Sequence, residues 1–162
     1  FIYELNQCVD SVKVEMKDCS VGQIGDFVWM DTNDNGIQDA DENGVSGVIL
    51  QLCRVDANGN QIGDIIGEVT TNDNGNYLFD NLGRGMYKLK IIAASVPLGA
   101  FVSTKKEQAL DRALDSDFDS TTLSSDIVEL SDNESVVLTI DAGLVRRCIP
   151  NPCLPVTTRK LK

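Results

Sequence analysis

Short apolar segments separated by tight-turn signals are the feature that most limits what this chain of 162 residues can fold into. Asn-Gly is the strongest short-range signal for a turn between strands, and it occurs at residues 35–36, 43–44, 58–59 and 74–75. Many short strands at near-regular spacing favour an all-β sandwich over a parallel sheet. The predicted strands are residues 12–16, 24–30, 48–55, 65–71, 76–79, 86–92, 101–104, 127–130 and 136–140. Helix is expected for at most one or two turns, within residues 106–114.

Residues 31–42 fit a twelve-residue calcium-binding loop at every position. Gly36 stands at position six, where the chain must turn sharply. Five carboxylates lie in these twelve residues with no basic residue among them, so they would repel one another unless a cation binds. A solvated Asn/Asp/Gly turn is the alternative. The predicted ligands are the side chains of Asp31, Asn33, Asn35, Asp39 and Glu42 and the backbone carbonyl of Ile37.

The segments on either side of this loop are strand-like, at residues 27–30 and 45–50. Flanking helices, which a helix-opening calcium sensor uses, are therefore not expected. The sequence predicts a calcium loop that joins two strands.

Two further acidic segments are weaker candidates for metal binding. Asp115, Asp117 and Asp119 alternate along the chain, so in an extended segment their side chains project to one side and could converge on one ion. Residues 72–76 have the sequence Asn-Asp-Asn-Gly-Asn, for which a type I′ hairpin turn is at least as good an interpretation as a metal site.

Charge and composition exclude several classes of function. Lys and Arg total 14 against 25 Asp and Glu, which argues against a nucleic-acid partner because such partners are held by basic surfaces. The chain contains no histidine, which removes the Ser-His and Cys-His nucleophile pairs. The longest apolar-leaning run, residues 91–102, is interrupted by Pro97 and Gly99 and is too short to span a bilayer, so no direct membrane insertion is expected.

The ends of the chain differ from the body. Residues 146–162 carry five basic residues and no acidic one, which leaves nine basic against 25 acidic residues elsewhere, a net charge of −16. The expected organisation is an N-terminal strand segment (1–20, an added strand or the end of a preceding module), a β-sandwich body (21–145) and a basic tail (146–162). Four cysteines lie in these ends and are disulfide candidates in an oxidising compartment, with free thiols as the alternative. They are Cys8, Cys19, Cys148 and Cys153, whereas Cys53 lies in the body.

Four motifs in order resemble the B-type domains of serine–aspartate repeat surface proteins, which belong to the collagen-adhesin B-like, prealbumin-like superfamily. They are IGDFVWMDTNDNGIQD with ENGVSGV (24–39 and 42–48), TNDNGNYLFDN with GMYKL (71–81 and 85–89), DSD (115–117) and DAGL (141–144). The resemblance covers residues 24–144. One departure is Asn72, where the family usually has Asp.

The resemblance implies a Greek-key-type, prealbumin-like β-sandwich with calcium-binding loops, used as a rigid extracellular or cell-surface spacer. The family's calcium ligands would carry over to the loop at residues 31–42. Asp26 and Asp141 would join Asp115, Asp117 and Asp119 in further sites between the first strand and the late loops.

Three functions follow from these features. The first is a calcium-stabilised structural module of a surface protein, stalk or filament, which other chains could contact through the terminal segments. The second is an adhesive module that binds a protein or glycan through its loops. The third, a calcium-dependent hydrolase that uses paired carboxylates, has the least support, and we expect no enzymatic activity.

Overall fold

The computed structural model describes residues 22–103 and 105–146. They form nine strands, and two single 3-10 turns at Ala93–Ser95 and Arg112–Leu114, of which the second lies within the region predicted to contain short helix. No helix among the described residues is long and apolar enough to cross a membrane. The strands are β1 (Gly22–Met30), β2 (Ile49–Val55), β3 (Gln61–Thr70), β4 (Asn76–Leu82), β5 (Gly85–Ile91), β6 (Ala100–Val102), β7 (Val128–Leu130), β8 (Val136–Leu138) and β9 (Ala142–Arg146).

The strands form two sheets that share one core. One sheet has the order β4-β1-β9-β6, with β8 also paired to β1, and the other has the order β3-β2-β5-β7. The chain runs through β2 and β3 in the second sheet and then returns to the first sheet, where β4 pairs with β1. The predicted all-β, Greek-key-type β-sandwich is confirmed.

The partner of β1 changes halfway along the strand. Residues 23–25 of β1 pair in parallel with β8, and residues 28–30 pair in parallel with β9. At the junction, the N–H of Phe27 donates to the carboxylate of Asp141, which lies in the connection between β8 and β9. The backbone hydrogen bonds along this side of β1 are therefore interrupted between β8 and β9, and the side chain of Asp141 accepts the N–H that is left there.

The core is built from alternate apolar residues of both sheets, because successive side chains of a strand point to opposite faces. Fully buried residues include Ile24, Val28, Leu50, Leu52, Leu89, Ile91, Leu130 and Leu144.

Residues 142–146 form a strand that the pattern of turns and apolar segments does not predict. Ala142 and Gly143 are poor strand formers, so the segment lacks a local signal. The buried indole of Trp29 explains the glycine, because a Cβ at position 143 would lie 3.0 Å from its Cζ2 atom. Tertiary contact, rather than propensity, places β9 beside β1.

The turn at residues 72–76 is not a hairpin turn, so that interpretation is wrong. It joins β3 to β4, which belong to different sheets. The side-chain oxygen of Asn72 accepts from the N–H groups of Asn74 and Asn76, and Gly75 takes the positive φ of 88°. A type I′ turn needs positive φ at both central residues, a condition that this turn does not meet.

Candidate metal-binding site

The loop at residues 31–42 begins where β1 ends, and its first residue anchors it. The N–H of Asp31 donates to the carbonyl of Leu144 in β9. The carboxylate of Asp31 is buried, and its two oxygens accept from the N–H groups of Asn35, at 3.1 Å, and Gly36, at 2.8 Å. Position one of the loop is thus tied to positions five and six.

Side-chain hydrogen bonds draw the other predicted ligands together. The Nδ2 atoms of Asn33 and Asn35 both donate to Oδ2 of Asp39, at 2.8 and 2.9 Å. The carboxylate of Glu42 accepts from the N–H of Thr32, at 2.6 Å, and from that of Asp39, at 3.3 Å. Five of the six predicted positions of this loop therefore form one connected group.

Ile37, the sixth predicted position, ties the loop to a second acidic segment. It forms an isolated antiparallel bridge with Asp115. On either side, the N–H of Gln38 donates to the carbonyl of Leu114, and the N–H of Ser116 donates to the carbonyl of Gly36. The two acidic segments predicted separately from the sequence are neighbours in the fold.

Gly36 and Lys105 fix the outer side of the loop. Gly36 has a φ of 79°, and a Cβ there would lie 2.3 Å from the carbonyl oxygen of Lys105, so only glycine fits. The Nζ atom of Lys105 donates to the carbonyl of Asp34. Sequence reasoning missed Lys105, because it stands beside Lys106 outside every acidic motif and carries no signal of its own.

A second group of carboxylates lies at the junction in β1. Asp141 is fully buried, and its Oδ1 atom accepts from the N–H of Phe27 at 3.0 Å. The N–H of Asp141 donates to Oδ2 of Asp117, and the N–H of Asp117 donates to the carbonyl of Asp141, both at 2.8 Å. The Oδ2 atom of Asp141 has no hydrogen-bond partner.

Burial and like charges raise the pKa values at this junction. Burial raises the pKa of Asp141 to about 9, and the charges of Asp26, Asp117 and Asp115 add to this rise, against the bond from Phe27. Burial also raises the pKa of Asp26. The pKa of Tyr77 is raised well above its usual value by burial and then by the charges of Asp141, Asp117 and Asp26. The hydroxyl of Tyr77 donates to the carbonyl of Ile140 at 2.5 Å.

Asp119 lies apart from these groups. Its carboxylate accepts from the N–H groups of Thr121 and Thr122, which lowers its pKa, and so it caps its own turn. Of the residues predicted for further sites, the structure therefore brings together Asp26, Asp115, Asp117 and Asp141 but not Asp119.

Among the described residues, no three Asp, Glu or Cys side chains converge in a group that could hold a metal ion in this conformation. The chemistry of the donors nevertheless suits a hard cation, since the loop at residues 31–42 supplies carboxylate and carboxamide oxygens.

The four disulfide candidates, Cys8, Cys19, Cys148 and Cys153, lie outside the described residues. Cys53 is a free, half-buried thiol on β2 that contacts the carbonyl of Lys88, and burial raises its pKa.

Comparison with known proteins identifies what this arrangement resembles. The family model of the SdrD B-like domain matches residues 22–144. Over 123 residues, 76% of the chain, it is 38% identical to serine-aspartate repeat-containing protein F of Staphylococcus epidermidis and 35% identical to serine-aspartate repeat-containing protein C of Staphylococcus aureus. The match covers 6% and 12% of those two proteins, so the chain corresponds to a small part of each.

A solved streptococcal ancillary pilin has a similar fold, with a TM-score of 0.50 and 19% sequence identity. The alignment covers 80% of this chain and 33% of the pilin.

Proposed function

Because the chain belongs to the SdrD B-like domain family, we propose that it is a calcium-stabilised structural module of a surface protein, stalk or filament. At a coarser level the chain is an extracellular structural or adhesive module. Family membership also confirms the predicted location, at the cell surface or outside the cell. Calcium binding, self-association and the lack of enzymatic activity are the parts that we propose.

The hydrogen bonds within the loop at residues 31–42 are the observation that carries the calcium proposal. They connect the loop's first, third, fifth, ninth and twelfth positions, which supply the side-chain ligands in a loop of this type. Asp31, Asp39 and Glu42 would hold Ca²⁺ through carboxylates, and Asn33 and Asn35 through carboxamide oxygens. When bound, the ion would offset the repulsion among the carboxylates.

A second proposed site lies at the junction of β1, and its support is of a different kind. The buried Oδ2 atom of Asp141 has no hydrogen-bond partner, and buried polar atoms rarely lack one. A cation held by Asp141 with Asp26, Asp115 and Asp117 would satisfy that oxygen. Such an ion would connect β1 to the segments before β7 and β9.

The proposed mechanism is thermodynamic linkage. An ion that binds only the folded state stabilises it, by about 2.7 kcal/mol when the calcium concentration is a hundred times Kd. Extracellular calcium modules typically bind at about 10⁻⁴–10⁻³ M. The residues that would hold the ions connect β1, the loop after it, and the segments before β7 and β9, so binding would stiffen one end of the sandwich.

Self-association through the terminal segments is the second part of the proposal. Residues 146–162 carry five positive charges and the rest of the chain a net charge of −16, so the tail of one chain could contact the acidic body of another. The tail follows β9, which ends beside β6 at the Arg146–Ala100 pair.

Thermal unfolding with calcium and with a chelator tests the calcium proposal. We expect calcium to raise the midpoint of the intact chain, and Glu42→Gln to remove most of that rise because the loop loses a bidentate carboxylate. The matched control is Glu134→Gln, an exposed residue of the connection between β7 and β8.

The control should respond to calcium as the parent does. Equal midpoints with calcium and chelator in the parent would show that the acidic loops are solvated turns and would remove this proposal. Sizing of the same samples at several protein concentrations tests self-association separately, since a chain that stays monomeric in calcium would contradict that part alone.

A further inference from the structure

β3 forms an exposed edge of the second sheet. It pairs with β2 on one side and stands at the end of the order β3-β2-β5-β7 among the described strands. Ile62, Ile65 and Ile66 on this strand remain 56%, 49% and 46% exposed. An edge strand offers unpaired backbone groups to any further strand, and on this one the exposed isoleucines stand beside Asp64 and Glu68.

A groove runs beside this edge, where the two sheets of the sandwich are open. It has a volume of about 210 Å³ and lies between β3 and β4, the edge strand of the other sheet. Ile66 and Val69 contribute from β3, and Leu78 and Leu82 from β4. Leu78 is 43% exposed, and Glu68 and Asp80 also line the groove, so the described part of the chain leaves open a surface with both apolar and acidic side chains.

The first described residue, Gly22, lies at the end of this groove. Gly22, the first residue of β1, pairs with Leu82, which lines the groove. The chain has 21 residues before Gly22. Residues 17–21 alone can span roughly 17 Å when extended, and packed sheets lie about 10 Å apart, so a strand that ends at Met16 can reach β3 of its own chain.

Residues 12–16 match this surface in pattern and charge. Val12, Val14 and Met16 alternate with Lys13 and Glu15, and so they fall on one face of a strand. That face suits the apolar side chains that line the groove. The opposite face carries Lys13, followed by Lys17, and the exposed edge of β3 carries Asp64 and Glu68.

We propose that residues 12–16 add to the free edge of β3 of the same chain as a further strand, with Val12, Val14 and Met16 over the groove. Addition within one chain is favoured over addition to a second copy because the short connection to Gly22 gives a high effective concentration. The resulting second sheet would have five strands, and its apolar edge would be covered. This inference does not depend on calcium.

Hydrogen exchange of the intact chain tests the inference, at a fixed calcium concentration and at several protein concentrations. Val14→Asp alters the added strand and Ile66→Asp alters the groove. Leu98→Asp is the matched control, because Leu98 is 99% exposed elsewhere on the surface. We expect amides of β3 to exchange about tenfold faster or more in the first two variants and unchanged in the control. Amides of the central strand β5 report whether each variant is folded.

Two results would overturn the inference. Identical exchange of β3 amides in the parent and in Val14→Asp, with β5 protected in both, would show that residues 12–16 do not cover this edge. Protection of β3 that is lost on dilution, together with a dimer on a sizing column that dissociates, would show that a second copy covers the edge.

Discussion

At the residue scale, Asp141 affects the stability of the fold in two opposite ways. Its backbone and Oδ1 atom bond to Asp117 and Phe27, which joins the connection before β9 to β1. Its buried side chain is also surrounded by acidic neighbours, which makes the charged form costly. The protonated form of Asp141 therefore stabilises the fold, whereas the cation site that we propose requires the charged form.

This dual role predicts a pH-dependent stability in chelator. The folded state keeps the proton of Asp141 up to a pKa of about 9, whereas the unfolded state loses it near 3.8. Between these values the folded state binds more protons, so the contribution of Asp141 is fully present below the lower value and is lost as the pH rises through the upper one. Asp141→Asn should make the unfolding free energy fall less steeply with rising pH in this range. The slope for one proton is at most about 1.4 kcal/mol per pH unit.

Denaturant unfolding at a series of pH values in chelator measures this effect. Asp64→Asn, at an exposed position of β3, serves as the control and should keep the parent's slope. The prediction fails if the parent's unfolding free energy does not fall between about pH 4 and pH 9. With calcium present the fall should weaken, because an ion held by Asp141 favours the charged form.

At the element scale, two turns pack against each other beside β1. The N–H of Val28 donates to the carbonyl of Gly75, and the N–H of Val45 donates to the carbonyl of Val28. A Cβ at Gly44 would lie 1.8 Å from the carbonyl oxygen of Asn74. Glycine is needed at position 44 because two backbones approach each other there, not because of its φ.

Gly44→Ala should therefore lower the unfolding free energy by about 1–3 kcal/mol, the usual cost of forcing atoms into a packed site. Gly67→Ala on β3 is the matched control, since its Cβ would meet the ring of Phe79 at an ordinary 3.5 Å. The control should change stability by less than about 1 kcal/mol. Equal effects of the two substitutions in urea unfolding would contradict the account of the packed turns.

At the scale of the whole molecule, the described chain begins and ends on neighbouring parallel strands. β1 and β9 run side by side at residues 28–30 and 142–144, and the chain enters at the start of β1 and leaves at the end of β9. The two ends are therefore at opposite ends of the sandwich. Tension applied through them would pull the two strands past each other, which loads all of their hydrogen bonds together.

This arrangement predicts high resistance to force. Pulling through Gly22 and Arg146 should need a markedly higher force than pulling through Gly22 and Leu82, which are antiparallel partners and would separate one bond at a time. Single-molecule pulling at one loading rate compares the two directions, and forced unfolding reports the unfolding rate. Similar forces in both directions would show that the β1–β9 pair does not limit unfolding.

Sequence reasoning succeeded where the signal is local. The turn glycines and alternating apolar residues mark β1, β2, β4 and β5 to within a few residues, because period-two alternation and tight-turn chemistry depend on neighbours in the chain. It failed at β9, where Ala142 and Gly143 carry no strand propensity, and at residues 72–76, where the same Asn-Gly signal serves a connection between sheets.

The sequence by itself determined an all-β chain, its family, and the twelve-residue loop, because the signal for each lies in residues that are close together in the chain. Only the tertiary structure decided that Asp141 bonds to Phe27 across 114 positions of the chain and that Ile37 meets Asp115. It also decided that Asp119 caps its own turn instead of joining them. Long-range pairing depends on how the sheets pack and register, and no local pattern of residues specifies that.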